Sequence, residues 1–286
     1  MNLKVVLKKF YKILLNLLPK NHIGDKIFSL ILFIRAYKRF PNDKNLISNY
    51  FFKIKHSTDG SSNLKAYISD KEFVKDYIAK KVGSNFNVPT YDVVRSFEKA
   101  LNYQFPENCC IKPTHMSGEI IFRKNNEKID FNLIKKWFST NYYEIGREIN
   151  YRFLKPKLII EPLIFENHNN NDYKFFCFKG KSKFVQIDID RHTNHTRLFF
   201  DRQWRELNFS ILKPKSKINL KKPGNFESMI DLAEKLCEDF EFIRVDLYTD
   251  ENQIYVGELT NCPENGNGYF LPKNSETIAS NLLFNK

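Results

Sequence analysis

The chain is 286 residues long and 42% hydrophobic, with 27 Phe, which excludes wholesale disorder and leaves enough chain for a large core and more than one lobe. A formal charge of +13 favours polyanionic partners: nucleotide phosphates, an anionic membrane surface, an acidic polysaccharide or nucleic acid. The lysines are spread along the chain rather than gathered on a reading element, so no nucleic-acid partner is expected. Five cysteines, at 109, 110, 177, 237 and 262, are odd in number and lack paired metal spacing, which argues for a reduced, cytoplasmic chain.

Residues 1–60 read as helix followed by loop. In the first 18, Val5, Val6, Leu7, Phe10, Leu14, Leu17 and Leu18 interleave with Lys4, Lys8, Lys9 and Lys12. These lysines interrupt any signal-peptide core. Two readings stand: a basic amphipathic helix contacting anionic lipid at the inner membrane face through residues 1–20, or a terminal helix packed on its own domain. Ile27–Ile34 is apolar but too short to span a bilayer.

Ser69-Asp70-Lys71-Glu72 reads as a helix start, with Ser69 as N-cap and Glu72 completing a capping box. Phe73, Val74, Tyr77 and Ile78 form the buried stripe, which directs Lys71 and Lys75 elsewhere. Phe97–Leu101 is a short helix. Cys109 to Ile121 reads as strand, loop and strand, with Lys112 ending the first strand. The loop Thr114-His115-Met116-Ser117-Gly118 offers backbone amides for a phosphate, although its single glycine equally suits a plain hairpin. Phe131–Trp137 is a helix over the sheet, and Pro156–Ile164 is a buried strand entering a proline-marked bend.

Asp172–Phe178 and Lys183–Arg191 form a hairpin across Lys179-Gly180-Lys181. Asp172 and Lys174 share one face, and Asp188 and Asp190 share one face of the second strand. Phe226–Phe240 is amphipathic, with Met229, Ile230, Ala233, Leu236 and Cys237 inward. Ile243 to Leu259 is a second hairpin. A three-residue loop, Glu251 to Gln253, puts Asp246 opposite Glu258 with Cβ atoms roughly 5 Å apart, whereas a one-residue slip puts them on opposite faces. Facing carboxylates suit Mg²⁺; a hairpin with one wet polar face is the plain alternative.

The quoted order of parts, with D-Y-K-F-F-C-F-K-G-K-S-K-F-V-Q-I-D-I-D-R-H-T-N-H, F-I-R-V-D-L-Y and G-E-L-T-N-C-P, resembles the TupA-like branch of the ATP-grasp enzymes, associated with teichuronopeptide and surface-polysaccharide synthesis. The resemblance covers roughly residues 65 to 270 and is specific over 156–262. It implies an α+β fold in which two α+β lobes clasp a nucleotide, after a helical segment at 1–60. The lobes divide into 61–105, the small lobe 106–164 and the C-terminal lobe 165–286. Lys71 and Lys112 look like the pair that holds the ATP phosphates, with His115, Ser117 and Gly118 in the phosphate loop. Glu161 and the backbone through Leu163 resemble the adenine hinge, and Asp172 lies near the ribose or acceptor. Lys174, Arg191 and Arg244 are the expected catalytic cations. Asp246 and Glu258 match Mg²⁺ ligands, with Asn261 as a third.

The implied activity is ATP-dependent joining of a carboxylate to an amine through an acyl phosphate, on an acidic glycan or sugar acid with an amine donor. Two alternatives are kept. Asp188-Ile189-Asp190 is a D-x-D that a glycosyltransferase would use to hold a metal and a sugar nucleotide. Met116 and Glu119, where the family loop is glycine-rich, suit a protein that keeps the fold as a binding module.

Overall fold

The computed structural model describes Leu15 and residues 17–57, 62–165, 171–191 and 193–285. Of the expected membrane-facing stretch, residues 1–14 and 16 lie outside the described residues. No helix among the described residues is long and apolar enough to cross a membrane.

Before the first sheet come the helices α1 (His22–Tyr37), α2 (Ile47–Lys55), α3 (Ser62–Ser69) and α4 (Phe73–Val82). The first starts where the Asn21 side chain accepts the Gly24 amide, an ordinary N-cap. The expected capping box is absent. Ser69 ends α3 instead of starting α4, because its hydroxyl donates back to the Lys65 carbonyl at 2.7 Å. Asp70 accepts the Glu72 amide at 2.9 Å, and Glu72 makes no cap of its own. Val74, Tyr77 and Ile78 are buried as expected, while Phe73 is 38% exposed and stacks on Tyr67.

A first antiparallel sheet follows, in the order β1-β4-β2-β3, from β1 (Asp92–Val94), β2 (Cys109–Pro113), β3 (Ile121–Arg123) and β4 (Leu158–Glu161). The helices α5 (Phe97–Leu101), α6 (Phe131–Ser139) and α7 (Tyr143–Gly146) lie between these strands in sequence. Ile134 and Trp137 of α6 close one core over Cys109, Ile111, Leu158 and Ile160.

The second sheet is larger, with order β10-β9-β5-β6-β7 and all pairs antiparallel. Its strands are β5 (Asp172–Phe178), β6 (Lys181–Ile189), β7 (Thr196–Asp201), β9 (Phe242–Thr249) and β10 (Ile254–Thr260). A short β8 (Ser210–Ile211) pairs with β11 (Phe270–Leu271). The β5–β6 turn is tighter than expected: Lys179 and Gly180 alone form it, both at positive φ, so β6 starts at Lys181. One face of this sheet packs on α8 (Phe226–Cys237), whose Met229, Ile230, Ala233, Leu236 and Cys237 are all buried. The opposite face packs Phe176, Phe178, Phe184, Phe199 and Phe242 against α2 and a C-terminal helix α9 (Glu276–Phe284). All five cysteines are free and buried.

The β9–β10 hairpin reaches its register by an unexpected route. Thr249 pairs with Ile254, so the turn has four residues rather than three, and that register alone would set Asp246 opposite Gly257. A bulge between Val256 and Glu258 absorbs Gly257 and brings Glu258 opposite Asp246. A side chain at 257 would not fit, since its Cβ would stand 2.4 Å from the Tyr248 ring. Gly257→Ala should therefore cost about 1–3 kcal/mol, as overpacking does. Urea denaturation measures it; wild-type stability would show that the bulge does not depend on this close approach.

Candidate active site

The face of the large sheet that carries the phenylalanines changes character along its strands. Period-two alternation puts Asp172 and Lys174 on the same side as Phe176 and Phe178, and Arg244 and Asp246 on the same side as Phe242. Beyond Phe176 this face is therefore charged. Lys174 stands at its centre: its Nζ donates to Asp172, lies 2.9 Å from Asp246 Oδ2 and 3.8 Å from Asp188 Oδ2. Arg244 grips both oxygens of Asp246 at 2.7 Å and donates to Thr260 at 3.0 Å. Arg191 reaches Asp172 at 3.0 Å from the exposed rim. Arg197 bonds Asp188 at 2.7 Å and Glu264 at 2.6 Å, and His195 stands 3.3 Å from Asp188.

These pairs decide the protonation of three buried carboxylates. Burial works against ionising Asp188, but Lys174 and Arg197 outweigh it and hold the group well below the usual carboxylate range. Asp246 is likewise lowered, with Arg244 and Lys174 overcoming burial. Asp172 goes the other way, raised by burial beyond what Lys174 offsets, and its Oδ1 is buried without a partner among the described residues. Asp190, by contrast, sits exposed past the end of β6 at positive φ, so Asp188 and Asp190 do not share a strand face.

A second group of charges gathers on the small sheet. Glu161, buried at the end of β4, lies 2.5 Å from Lys75 and 2.8 Å from Lys112. Burial disfavours the charge on Glu161, but Lys112 and Lys75 keep its carboxyl below the usual range. Lys71 donates to the Met116 carbonyl of the 114–120 loop; burial lowers its pKa, and the charge of Glu258 opposes that. This influence of Glu258 on Lys71 links the two charged groups across the two sheets. Asp70 anchors the loop by accepting from Thr114 at 3.3 Å and pairing with Lys157 at 3.0 Å.

The remaining expected residues distribute unevenly. Gly118 is exposed at positive φ with open space around it, and Ser117 hydrogen-bonds Tyr142. The His115 ring is buried, with Nε2 3.1 Å from the Trp137 carbonyl, and lies within the field of Lys71 and Asp70. Glu119 accepts from the Trp137 indole at 3.1 Å. Leu163 follows β4, half-buried beside Pro162. Lys75, which the buried stripe directs elsewhere, joins Lys112 on Glu161. Its place one helical turn beyond Lys71 was the available signal.

The β9–β10 pair offers two facing carboxylates to a divalent ion. Asp246 and Glu258 face each other; Arg244 and Lys174 hold the Asp246 oxygens, and Glu258 has no ion pair among the described residues. Asn261, just past the end of β10, donates to Ser69 Oγ at 3.2 Å while its Oδ1 is buried without a partner among the described residues. No group of three or more His, Cys, Asp or Glu among the described residues could hold a metal. Two carboxylates would suffice to hold Mg²⁺, a cation that keeps several waters.

Removing the central ammonium should expose how much these charges depend on it. Lys174→Met leaves buried carboxylates facing one another, at a cost of about 3–5 kcal/mol near neutral pH. In the variant their folded pKa values rise above the unfolded ones, so the penalty is full at neutral pH and is relieved as pH falls through those values. Urea melts at pH 7 and pH 5 test this. A deficit that does not shrink at the lower pH would refute the charge argument.

A family model described as TupA-like ATP-grasp matches residues 52–283. No curated relative matches the chain. Among solved structures, D-alanine–D-alanine ligase from Helicobacter pylori is similar at 18% identity and a TM-score of 0.38, over 70% of this chain and 53% of that one. D-alanine–D-alanine ligase from Bacillus anthracis is similar at 15% identity and a TM-score of 0.42, over 76% and 65%. The ATP-grasp ligase PsnB complexed with minimal precursor is similar at 10% identity and a TM-score of 0.38, over 70% and 54%. The chain thus spans between 53% and 65% of the length of these structures. With both sheets inside the matched region, the chain belongs to the TupA-like ATP-grasp family.

Proposed function

We propose that the chain is an ATP- and Mg²⁺-dependent carboxylate–amine ligase that forms an amide on an acidic surface polysaccharide or its precursor. The observation that carries this reading is the register of β9 on β10. It sets Asp246 against Glu258, with Arg244 and Lys174 at hand, while Lys71 comes within the field of Glu258.

When bound, MgATP would supply the γ-phosphoryl group that turns a carboxylate into an acyl phosphate, leaving ADP, and an attacking amine would then displace phosphate and lose a proton. The chain's own residues supply positioning and charge. Asp246 and Glu258 are the oxygen ligands for the metal, with the orphaned Asn261 Oδ1 as a third. Lys71 and Lys112 are the cations for the phosphates, and Glu161 holds Lys112 and Lys75 in place from the hinge. Arg244, kept rigid by two bonds to Asp246, is placed to stabilise charge on the group in transfer. Arg191 at the rim, 47% exposed, suits the carboxylate of an acidic acceptor, as does the net charge of +13.

The setting is cytoplasmic, with peripheral contact at the inner face of the membrane through residues 1–20. Exposed Leu17 and Ile23 beside Lys20 support that contact.

Two measurements test the reading. Glu258→Gln should abolish Mg²⁺-dependent ATP turnover and leave the melting temperature nearly unchanged; undiminished turnover would sink the metal assignment. ADP or ATP with Mg²⁺ should stabilise the wild-type chain by roughly 2.7 kcal/mol at 100 times Kd, as a ligand specific to the folded state does. UDP-sugars should give no shift. A shift with a sugar nucleotide alone would favour a glycosyltransferase, and silence with every nucleotide would favour a binding module.

A further inference from the structure

The three most exposed large apolar side chains among the described residues are Phe153 (83%), Leu17 (73%) and Ile23 (68%), and Ile145 stands at 60%. All four lie on two segments, 17–27 and 143–155, that are bonded to each other. Arg147 donates to the Leu18 and Pro19 carbonyls at 3.0 and 3.1 Å, Arg152 donates to the Lys20 carbonyl at 3.1 Å, and Lys20 pairs with Glu144 at 2.5 Å. Ile23 continues into an exposed face of α1 with Lys26 and Ile27. The Gly146 carbonyl accepts from Lys55 and from Asn265, each at 2.9 Å, which ties the second segment to α2 and to the loop after β10. The surface these segments form is therefore built by the fold before any partner arrives.

Its charge is one-sided. Lys26 and Lys155 are exposed and form no ion pair among the described residues, and the Arg152 guanidinium lies 5.4 Å from the centre of the Phe153 ring. The acids of the same segments are taken up elsewhere. Asp25 is buried against Arg147 at 3.0 Å and Tyr143 at 2.6 Å, and Glu144 is held by Lys20. Glu148 is half-buried and lines a cavity of about 310 Å³ together with Lys55. What faces outward is thus a set of apolar side chains interleaved with unopposed cations. The chain reaches this face through Leu15 and Leu17, and residues 1–14 ahead of them carry Lys4, Lys8, Lys9 and Lys12.

We propose that this face is a docking platform for an anionic lipid bilayer, in which Phe153, Ile145 and Ile23 enter the headgroup layer while Lys26, Arg152 and Lys155 meet lipid phosphates. The proposal rests on the peripheral contact read for residues 1–20 and deepens it, because half of the platform is a folded segment far from them in sequence. Two observations favour lipid over a protein partner. Phe153, at 83% exposure, stands out from the surface instead of lining a groove, so it suits a soft layer that closes around it. Lysines are also depleted at the cores of protein interfaces, whereas here they alternate with the apolar side chains. That alternation fits the boundary between acyl chains and headgroups, where long cationic side chains bury their stems and keep their charge in water. A net charge of +13 draws the chain to such a surface.

The test is sedimentation of the full chain with vesicles of phosphatidylcholine alone and with vesicles of equal parts phosphatidylcholine and phosphatidylglycerol. The wild type should bind the anionic vesicles and not the neutral ones. Phe153→Ser combined with Ile145→Ser should weaken that binding at least tenfold, since both side chains lose their burial in lipid. Lys26→Gln combined with Lys155→Gln should also weaken it at least tenfold, as each lysine near an anionic surface is worth about fivefold. All four positions are exposed, so both variants should melt at the wild-type temperature, which shows that they are folded. Wild-type binding by both variants would overturn the platform and leave the contact to residues 1–20 alone. Equal binding to the two vesicle types, or a dimer in solution that Phe153→Ser dissociates, would overturn the platform as well. No binding of the wild type to either vesicle would overturn the platform and the peripheral contact together.

Discussion

The charged face of the large sheet depends on one ammonium group. Lys174 lies among Asp172, Asp188 and Asp246. Three carboxylates buried together repel, and each also loses hydration. Lys174 offsets both, but it cannot satisfy three partners equally. The arginines therefore take up the remainder from the outside: Arg244 on Asp246, Arg197 on Asp188, Arg191 on Asp172. Asp172 receives the weakest support, from an exposed guanidinium, and is the carboxylate whose pKa rises. The unpartnered Asp172 Oδ1 follows from the same imbalance.

The sheet makes this cluster possible because its two ends are built differently. Phe176, Phe178, Phe184 and Phe199 give one end of the face an apolar contact with α2 and α9, which holds the strands in register where no charge competes. The charged end inherits that register instead of having to establish it. Glu258 is the exception. The four-residue turn would have turned it to the wrong face, and Gly257 corrects the fault within β10. A single residue without a side chain therefore decides whether Asp246 has a facing carboxylate.

Much of this was legible in the sequence because period-two alternation is strong in β5, β6 and β9. Asp172 with Lys174, and Arg244 with Asp246, could be assigned to faces from spacing alone. The helix Phe226–Cys237 was equally readable from its apolar stripe. What failed had local competition as its cause. Ser69 looked like an N-cap, but a serine can also donate to the carbonyl four residues back, and here that bond ends α3. Loop length could not reveal the bulge at Gly257, since both routes give the same pairing. Asp190 looked paired with Asp188 until the chain left the strand through a left-handed residue. Lys55 and Glu148 carry no motif, and they meet only because α2 and the segment after α7 fold against one cavity.

Charge pairing also ranks the cations by how easily each can turn to a polyanion. Lys112 and Lys75 are held by Glu161, Lys174 by three aspartates and Arg244 by two bonds to Asp246. Redirecting any of these leaves a buried carboxylate uncompensated. Lys71 differs. It forms no ion pair among the described residues and is held by the Met116 carbonyl, a neutral acceptor whose loss leaves no charge behind. Burial already disfavours its charge, so an anion arriving beside it would relieve an existing cost. The loop that carries Met116 is open at Gly118, where nothing stands near the backbone. Lys71 is therefore the cation that an anion could recruit with least disruption of the fixed pairs around it.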